Sequence, residues 1–247
     1  MSAGTIFVYE LIGTAVLILL GTGVVANNLL RKTNGNSTGF LFINVGWAFA
    51  VFTGASLAAP SGAHLNPAVT LGLAIAGKSE WADVPIYFAA QMLGAIIGAV
   101  LCWLTYKLQF DDHPEPENTL GIFSTAPTVP NKLWNTVTEI IGTFVLVAWI
   151  LLSPTISVGD GGTPEFGNSA LGYAGVAFVV LVIGTSLGGP TGYAINPARD
   201  LGPRIAYALL PIKGKGNLNW NYSWVPVVGP LIGGALAALL FLIVPTA

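Results

Sequence analysis

Charge is what this sequence has least of. Of its 247 residues only 8% are charged, nine Lys or Arg and eleven Asp or Glu, against roughly 25% in soluble domains. Hydrophobic residues make up 53%, and mean hydropathy is +0.73. So few charges cannot clothe a water-facing surface, so most of the surface faces lipid. A net charge of -2 with no basic run excludes a nucleic-acid partner. The single cysteine, Cys102, excludes an intrachain disulfide and a cysteine metal cage. His64 and His113 stand too far apart for a histidine metal motif, so no metal or other cofactor is expected. The acidic stretch at Asp111, Asp112, Glu115 and Glu117 lacks the spacing of a calcium loop and reads as solvated.

Long apolar runs are what the chain has instead. A bilayer core needs about 20 mostly apolar residues. Six stretches meet that, at 5–27, 39–58, 84–107, 134–153, 169–188 and 224–244. The first is long enough to be kept as a membrane anchor rather than cleaved. The longest soluble piece runs from Lys107 to Lys132, and a glycine-rich loop runs from Pro154 to Asn168. Two segments, 60–77 and 190–210, are too interrupted to cross and too apolar for ordinary loops. They fit re-entrant half-helices, whose non-helical backbone survives at membrane depth only inside protein or beside a wet cavity.

The chain repeats itself. Glu10-Leu11-Ile12-Gly13-Thr14 matches Glu139-Ile140-Ile141-Gly142-Thr143, and Ser61 to Ala68 matches Thr191 to Ala198. The spacing from glutamate to asparagine is 56 residues in one half and 57 in the other. Each half holds three spans, an odd number, so the second enters from the opposite side. The expectation is one domain over 1–247, built as an inverted repeat of about 1–110 and 134–247, with its site near the midplane.

Asparagine is a favoured N-cap and proline a favoured first helical residue. Asn66-Pro67 and Asn196-Pro197 therefore start short helices, about 67–77 and 197–209. If both dip to the midplane, their N-termini meet and set a positive potential there. Each capping Asn keeps its NH2 as a donor for a passing water or hydroxyl, while the field repels cations.

At this point the chain resembles the aquaporin family over essentially its whole length. Six spans, twin Asn-Pro-Ala motifs and a Glu in spans one and four carry the likeness. The run from Gly192 to Arg204 is similar to the glycerol-conducting branch, the aquaglyceroporins. The resemblance implies an all-α membrane protein with six transmembrane helices and two re-entrant half-helices in an inverted repeat. It implies a homotetramer with one pore per subunit, passing small uncharged solutes such as glycerol and water. It also implies that Arg199 and Tyr193 form the selectivity filter and that Gly184 stands where strict water channels keep histidine. Asp200, Arg204 and the Pro226-Val227 pair likewise match the glycerol branch. One position departs: glycerol channels carry an aromatic twenty residues before the first motif's Asn, which falls on Gly46, beside Trp47. A small shift would bring Trp47 into the filter, but the ungapped count favours Gly46 and hence a wider pore.

The remaining polar residues have plainer roles. Glu10 and Glu139 are expected to accept bonds from loop N–H groups rather than relay protons, and Asp200 to give structural support, an Arg199–Asp200 pair being the plainer reading of that arginine. His64 either lines the pore or is held within its loop. Gly13, Gly94, Gly98, Gly142, Gly229, Gly233 and Gly234 suit close helix crossings. Trp81, Trp134, Trp220 and Trp224 suit interfacial anchoring. The alternatives are a strict water channel, against which Gly184, Asp200, Arg204 and Pro226 argue, and an ion-coupled transporter, whose only deep acids are Glu10, Glu139 and Asp200. An enzyme is not expected, since no nucleophile–base or metal constellation is present. The resemblance puts both termini in the cytoplasm, leaving Lys78 the only basic residue of the inner loops, whereas the positive-inside rule favours the reverse. Compact loops suit a bacterial inner membrane.

Overall fold

The computed structural model describes residues 1–153 and 170–244, and the glycine-rich loop from Pro154 to Asn168 lies outside them. Among the described residues the regular structure is entirely helical. In chain order the α-helices are α1 (Ala3–Leu29), α2 (Phe40–Leu57), α3 (Pro67–Ile75), α4 (Val84–Thr105), α5 (Lys107–Asp112), α6 (Leu120–Phe123), α7 (Lys132–Leu152), α8 (Ala174–Leu187), α9 (Pro197–Leu209) and α10 (Val225–Ile243). Helices α1, α2, α4, α7 and α10 are long and apolar enough to cross a bilayer. Helix α8 has only 14 residues and continues from a 3-10 turn, Ala170–Tyr173. At 1.5 Å per residue α8 alone covers about 21 Å, so the turn supplies part of the span.

Capping begins several helices. Ser2 accepts the Thr5 N–H at the start of α1, and Asn131 accepts the Trp134 N–H at the start of α7. Asn66 and Asn196 cap α3 and α9, each followed by Pro at the first helical position. Glycines set how closely the spans approach, as expected where lipid supplies no hydrophobic drive between helices. A Cβ on Gly13 would lie 2.7 Å from the Gly54 carbonyl, and one on Gly54 would lie 2.6 Å from the Gly13 carbonyl. Gly94 and Gly98 meet the backbone of α1, while Gly229 and Gly233 meet α7 and Gly234 meets Ala68. Gly142 is different, facing the Ile195 methyl at 3.1 Å rather than a neighbouring helix backbone.

The two halves make matching contacts. Helix α1 lies along α4 and α2, as α7 lies along α10 and α8. Short helix α3 packs on α10, and short helix α9 packs on α4. Each half-length helix is thus held by the third long helix of the other half, which fastens the halves around the two Asn-Pro starts.

The segment from Lys107 to Lys132 is more ordered than a soluble connection. Phe110, Ile122 and Phe123 are buried in the core. Arg31 and Lys32 both pair with Asp112, at 3.1 and 2.9 Å, and Lys107 pairs with Asp111. Hydrogen bonds from Lys32 and Arg31 hold the Asp112 carboxyl below the usual carboxylate range. Trp81, Trp134, Trp220 and Trp224 are exposed near helix starts.

Candidate functional site

The residues before α3 and α9 cannot be helical. Gly62, Ala63 and Leu65 have φ of +87, +53 and +53°, and Gly192, Tyr193 and Ile195 have +78, +40 and +43°. Left-handed backbone on β-branched and aromatic residues is uncommon and persists only where surroundings impose it. Buried carboxylates impose it here. Glu10 accepts the Ser61 hydroxyl at 2.7 Å, the His64 and Leu65 N–H groups at 2.9 and 2.7 Å, and the Gln91 amide at 2.8 Å. Glu139 accepts the Thr191 hydroxyl at 2.7 Å and the Ala194 and Ile195 N–H groups at 3.0 and 2.8 Å. Such charge-assisted bonds are roughly twice as strong as neutral ones. With these N–H groups drawn to the carboxylates, carbonyls are what the loop backbone has left to offer a neighbouring solute.

The two asparagines meet. Asn66 Oδ1 accepts the Ala68 N–H at 2.9 Å, and Asn196 Oδ1 accepts the Ala198 and Arg199 N–H groups at 3.0 and 3.2 Å. Asn66 Nδ2 also donates across to the Ile195 carbonyl at 2.8 Å, and Asn196 Nδ2 to the Leu65 carbonyl at 2.9 Å. The sequence expectation left both amide hydrogens to the solute. One of each pair in fact bridges the motifs, so each Asn keeps a single N–H.

Both asparagines line a cavity of about 140 Å³. Much of its lining is apolar, with Leu17, Val51, Val69, Leu73, Leu146, Ile150, Val176 and Val180 drawn from α1, α2, α3, α7 and α8. The rest includes the loop residues 62–66 and 193–196, His64 and Tyr193 among them, and Arg199. His64 lines the cavity and is also fixed in place, its Nδ1 3.1 Å from the Thr70 hydroxyl and its ring stacked on Tyr87 at 4.0 Å.

Trp47, not Gly46, faces this cavity. A Cβ on Gly46 would lie 2.5 Å from Val24, so Gly46 is turned toward α1. The expectation favouring Gly46 counted twenty residues back through the 3-10 turn Ala59–Ser61 that ends α2. A residue can be lost from such a turn without disturbing the helix. Within α2 the spacing is unambiguous, since Trp47, Val51 and Ala55 all line the cavity and recur at every fourth residue.

Arg199 stacks its guanidinium 3.9 Å over the Trp47 ring and donates to the Phe123 carbonyl at 3.3 Å. It makes no ion pair with Asp200. Asp200 instead bonds Arg204, at 2.7 and 3.0 Å, in a pair with both side chains fully buried. The other Asp200 oxygen accepts the N–H and hydroxyl of Thr125, both at 2.7 Å. Arg204 donates onward to the Thr125 and Leu218 carbonyls at 3.1 and 2.8 Å. Asp200 and Arg204 thereby anchor the segment that presents the Phe123 carbonyl to Arg199. Phe123 and Thr125 escaped the sequence expectation; the apolar run Leu120-Gly121-Ile122-Phe123 inside a polar connection was the available signal.

Gly184 does not line the cavity wall. Its missing side chain makes room for Tyr193, whose Cζ would lie 2.8 Å from a Cβ there. A glycine here lets the Tyr193 ring lie back against α8.

The model of the major intrinsic protein family matches residues 2–241. The chain belongs to that family. It is 47% identical over 238 residues to the probable glycerol uptake facilitator protein of Thermotoga maritima, covering 96% of this chain and 98% of that protein. It is also 47% identical over 238 residues to the glycerol uptake facilitator protein of Bacillus subtilis, covering 96% and 84% of the two chains. Among solved structures, the aquaglyceroporin from Plasmodium falciparum superposes with a TM-score of 0.83 at 31% identity, covering 98% of this chain and 97% of that one. The architecture is the aquaporin fold, and the protein is a membrane channel rather than an enzyme.

Proposed function

We propose that the chain conducts glycerol, water and other small uncharged solutes passively through the Asn66–Asn196 cavity. The observation that carries this is a lining that combines apolar side chains with polar loop groups. A polyol has C–H groups along one side and hydroxyls along the other. Val51, Val69 and Val180 suit the first, while loop carbonyls, the free Asn66 and Asn196 N–H groups and Arg199 suit the second. In this reading Trp47, Tyr193 and Arg199 form the selectivity filter, and Gly184 sets its width from behind. Glu10, Glu139, Pro67, Pro197 and Asp200 give structural support, holding the solute-facing groups without touching solute.

Ion exclusion follows from the same parts. Among the described residues Arg199 is the only Lys or Arg lining the cavity, and the helix N-termini at Asn66 and Asn196 add positive potential. The acids that an ion-coupled transporter would use, Glu10, Glu139 and Asp200, are already engaged by loop donors and Arg204. We extend the proposal to a homotetramer, each subunit with its own pore, in a bacterial inner membrane. The test is glycerol entry into proteoliposomes with and without proton and sodium gradients. Equal initial rates support passive conduction, and a rate that follows either gradient overturns it.

A further inference from the structure

Helix α2 carries Asn44, Thr53 and Ser56 among largely apolar residues. Thr53 and Ser56 donate to carbonyls one turn back on α2, at 2.8 and 2.7 Å. Asn44 has no such arrangement. It is 1% exposed, it does not line the cavity, and its Oδ1 has no hydrogen-bond partner among the described residues. A buried acceptor without a donor is costly, and more so among apolar helices.

A second orphan lies beside it. The Tyr193 hydroxyl is also buried and unpartnered. The Tyr193 ring runs along α8, with Cδ1 against Gly188 and Cζ toward Gly184, and Phe40 packs edge-on at 6.2 Å. The hydroxyl end is therefore the Gly184 end. There Tyr193 Cζ and Asn44 Oδ1 stand 2.8 and 2.9 Å from one and the same point, the place a Gly184 Cβ would occupy. The donor and the acceptor that each lack a partner are neighbours across one glycine.

We propose that Asn44 is a positioning residue that accepts a hydrogen bond from the Tyr193 hydroxyl and so fixes the aromatic wall of the filter. A small turn of the Asn44 amide, or one bridging water, closes the pair. The bond holds the ring back against Gly184 and Gly188, and the width of the passage depends on how firmly it is held. Asn44 acts on specificity through Tyr193 and touches no solute. The proposal rests on the channel reading above.

The test compares glycerol and xylitol permeability in proteoliposomes of wild type, Asn44→Leu, Tyr193→Phe and the double variant. Leucine keeps the branching of asparagine at Cγ, at a larger volume, and removes the acceptor; phenylalanine keeps the ring and removes the donor. Each single variant is expected to change the xylitol-to-glycerol ratio about threefold, as loss of one hydrogen bond allows. The double variant is expected to match either single one. A wild-type ratio in Tyr193→Phe, which reads the bond even if Asn44→Leu does not assemble, overturns the proposal. So do effects that multiply in the double variant, or a wild-type ratio in Asn44→Leu. Wild type that passes no glycerol refutes the channel reading itself, which is a separate outcome.

Discussion

Adding one methyl group at Gly184 tests the filter geometry from behind. The Cβ of Gly184→Ala would stand 2.8 Å from Tyr193 Cζ and 2.9 Å from Asn44 Oδ1. Carbon atoms rest at about 3.5–4.0 Å, so the ring must withdraw by roughly 1 Å. Its other sides are closed by Gly188 and Phe40, which leaves the cavity as the direction of retreat. A filter narrowed by roughly 1 Å overpacks a passing polyol, at about 1–3 kcal/mol. One factor of ten in rate is 1.36 kcal/mol, so glycerol permeability should fall about 5- to 150-fold. Water needs less width and should fall far less. Stopped-flow light scattering on proteoliposomes reads both rates in one preparation. Equal losses of glycerol and water flux, or no loss of either, would refute the argument that Gly184 sets filter width through Tyr193. Gly184→His should act the same way and more strongly.

Other substitutions separate conduction from support. Arg199→Ala removes a cation from the cavity lining and should weaken discrimination against cations while glycerol still passes, checked by sodium and proton leak into the same vesicles. Glu139→Gln leaves one loop donor or hydroxyl facing an amide NH2 and should cost about 2–3 kcal/mol, seen as a lower unfolding temperature in detergent. Asp200→Ala strands the fully buried Arg204 and should cost about 3–5 kcal/mol, whereas replacing both by Leu should cost less.

The spans and the twin motifs were legible because they rest on local rules. Length and hydropathy mark the bilayer crossings, and Asn-Pro marks a helix start wherever it occurs. The cross-bridges from Asn66 to Ile195 and from Asn196 to Leu65 were not legible. They join residues of different halves, and no local pattern reports how two helix ends meet. Asp200 shows an intermediate case. Its neighbour Arg199 suggested a pair, but side chains four apart on α9 share a face, and Asp200 lies under Arg204. Adjacent residues on a helix point apart, which frees Arg199 for Trp47 and the Phe123 carbonyl. Trp47 was hidden by a count that ran through a turn, although the repeat of Trp47, Val51 and Ala55 along α2 pointed at the cavity throughout.

The central claim is that a passage for uncharged solutes, lined by both apolar side chains and polar loop groups, runs by Asn66 and Asn196. Its most direct test is to mix proteoliposomes rapidly with hyperosmotic glycerol and, separately, with sucrose. The account predicts fast shrinkage in both and fast reswelling in glycerol alone. Fast shrinkage in glycerol with no reswelling beyond that of empty vesicles would contradict it.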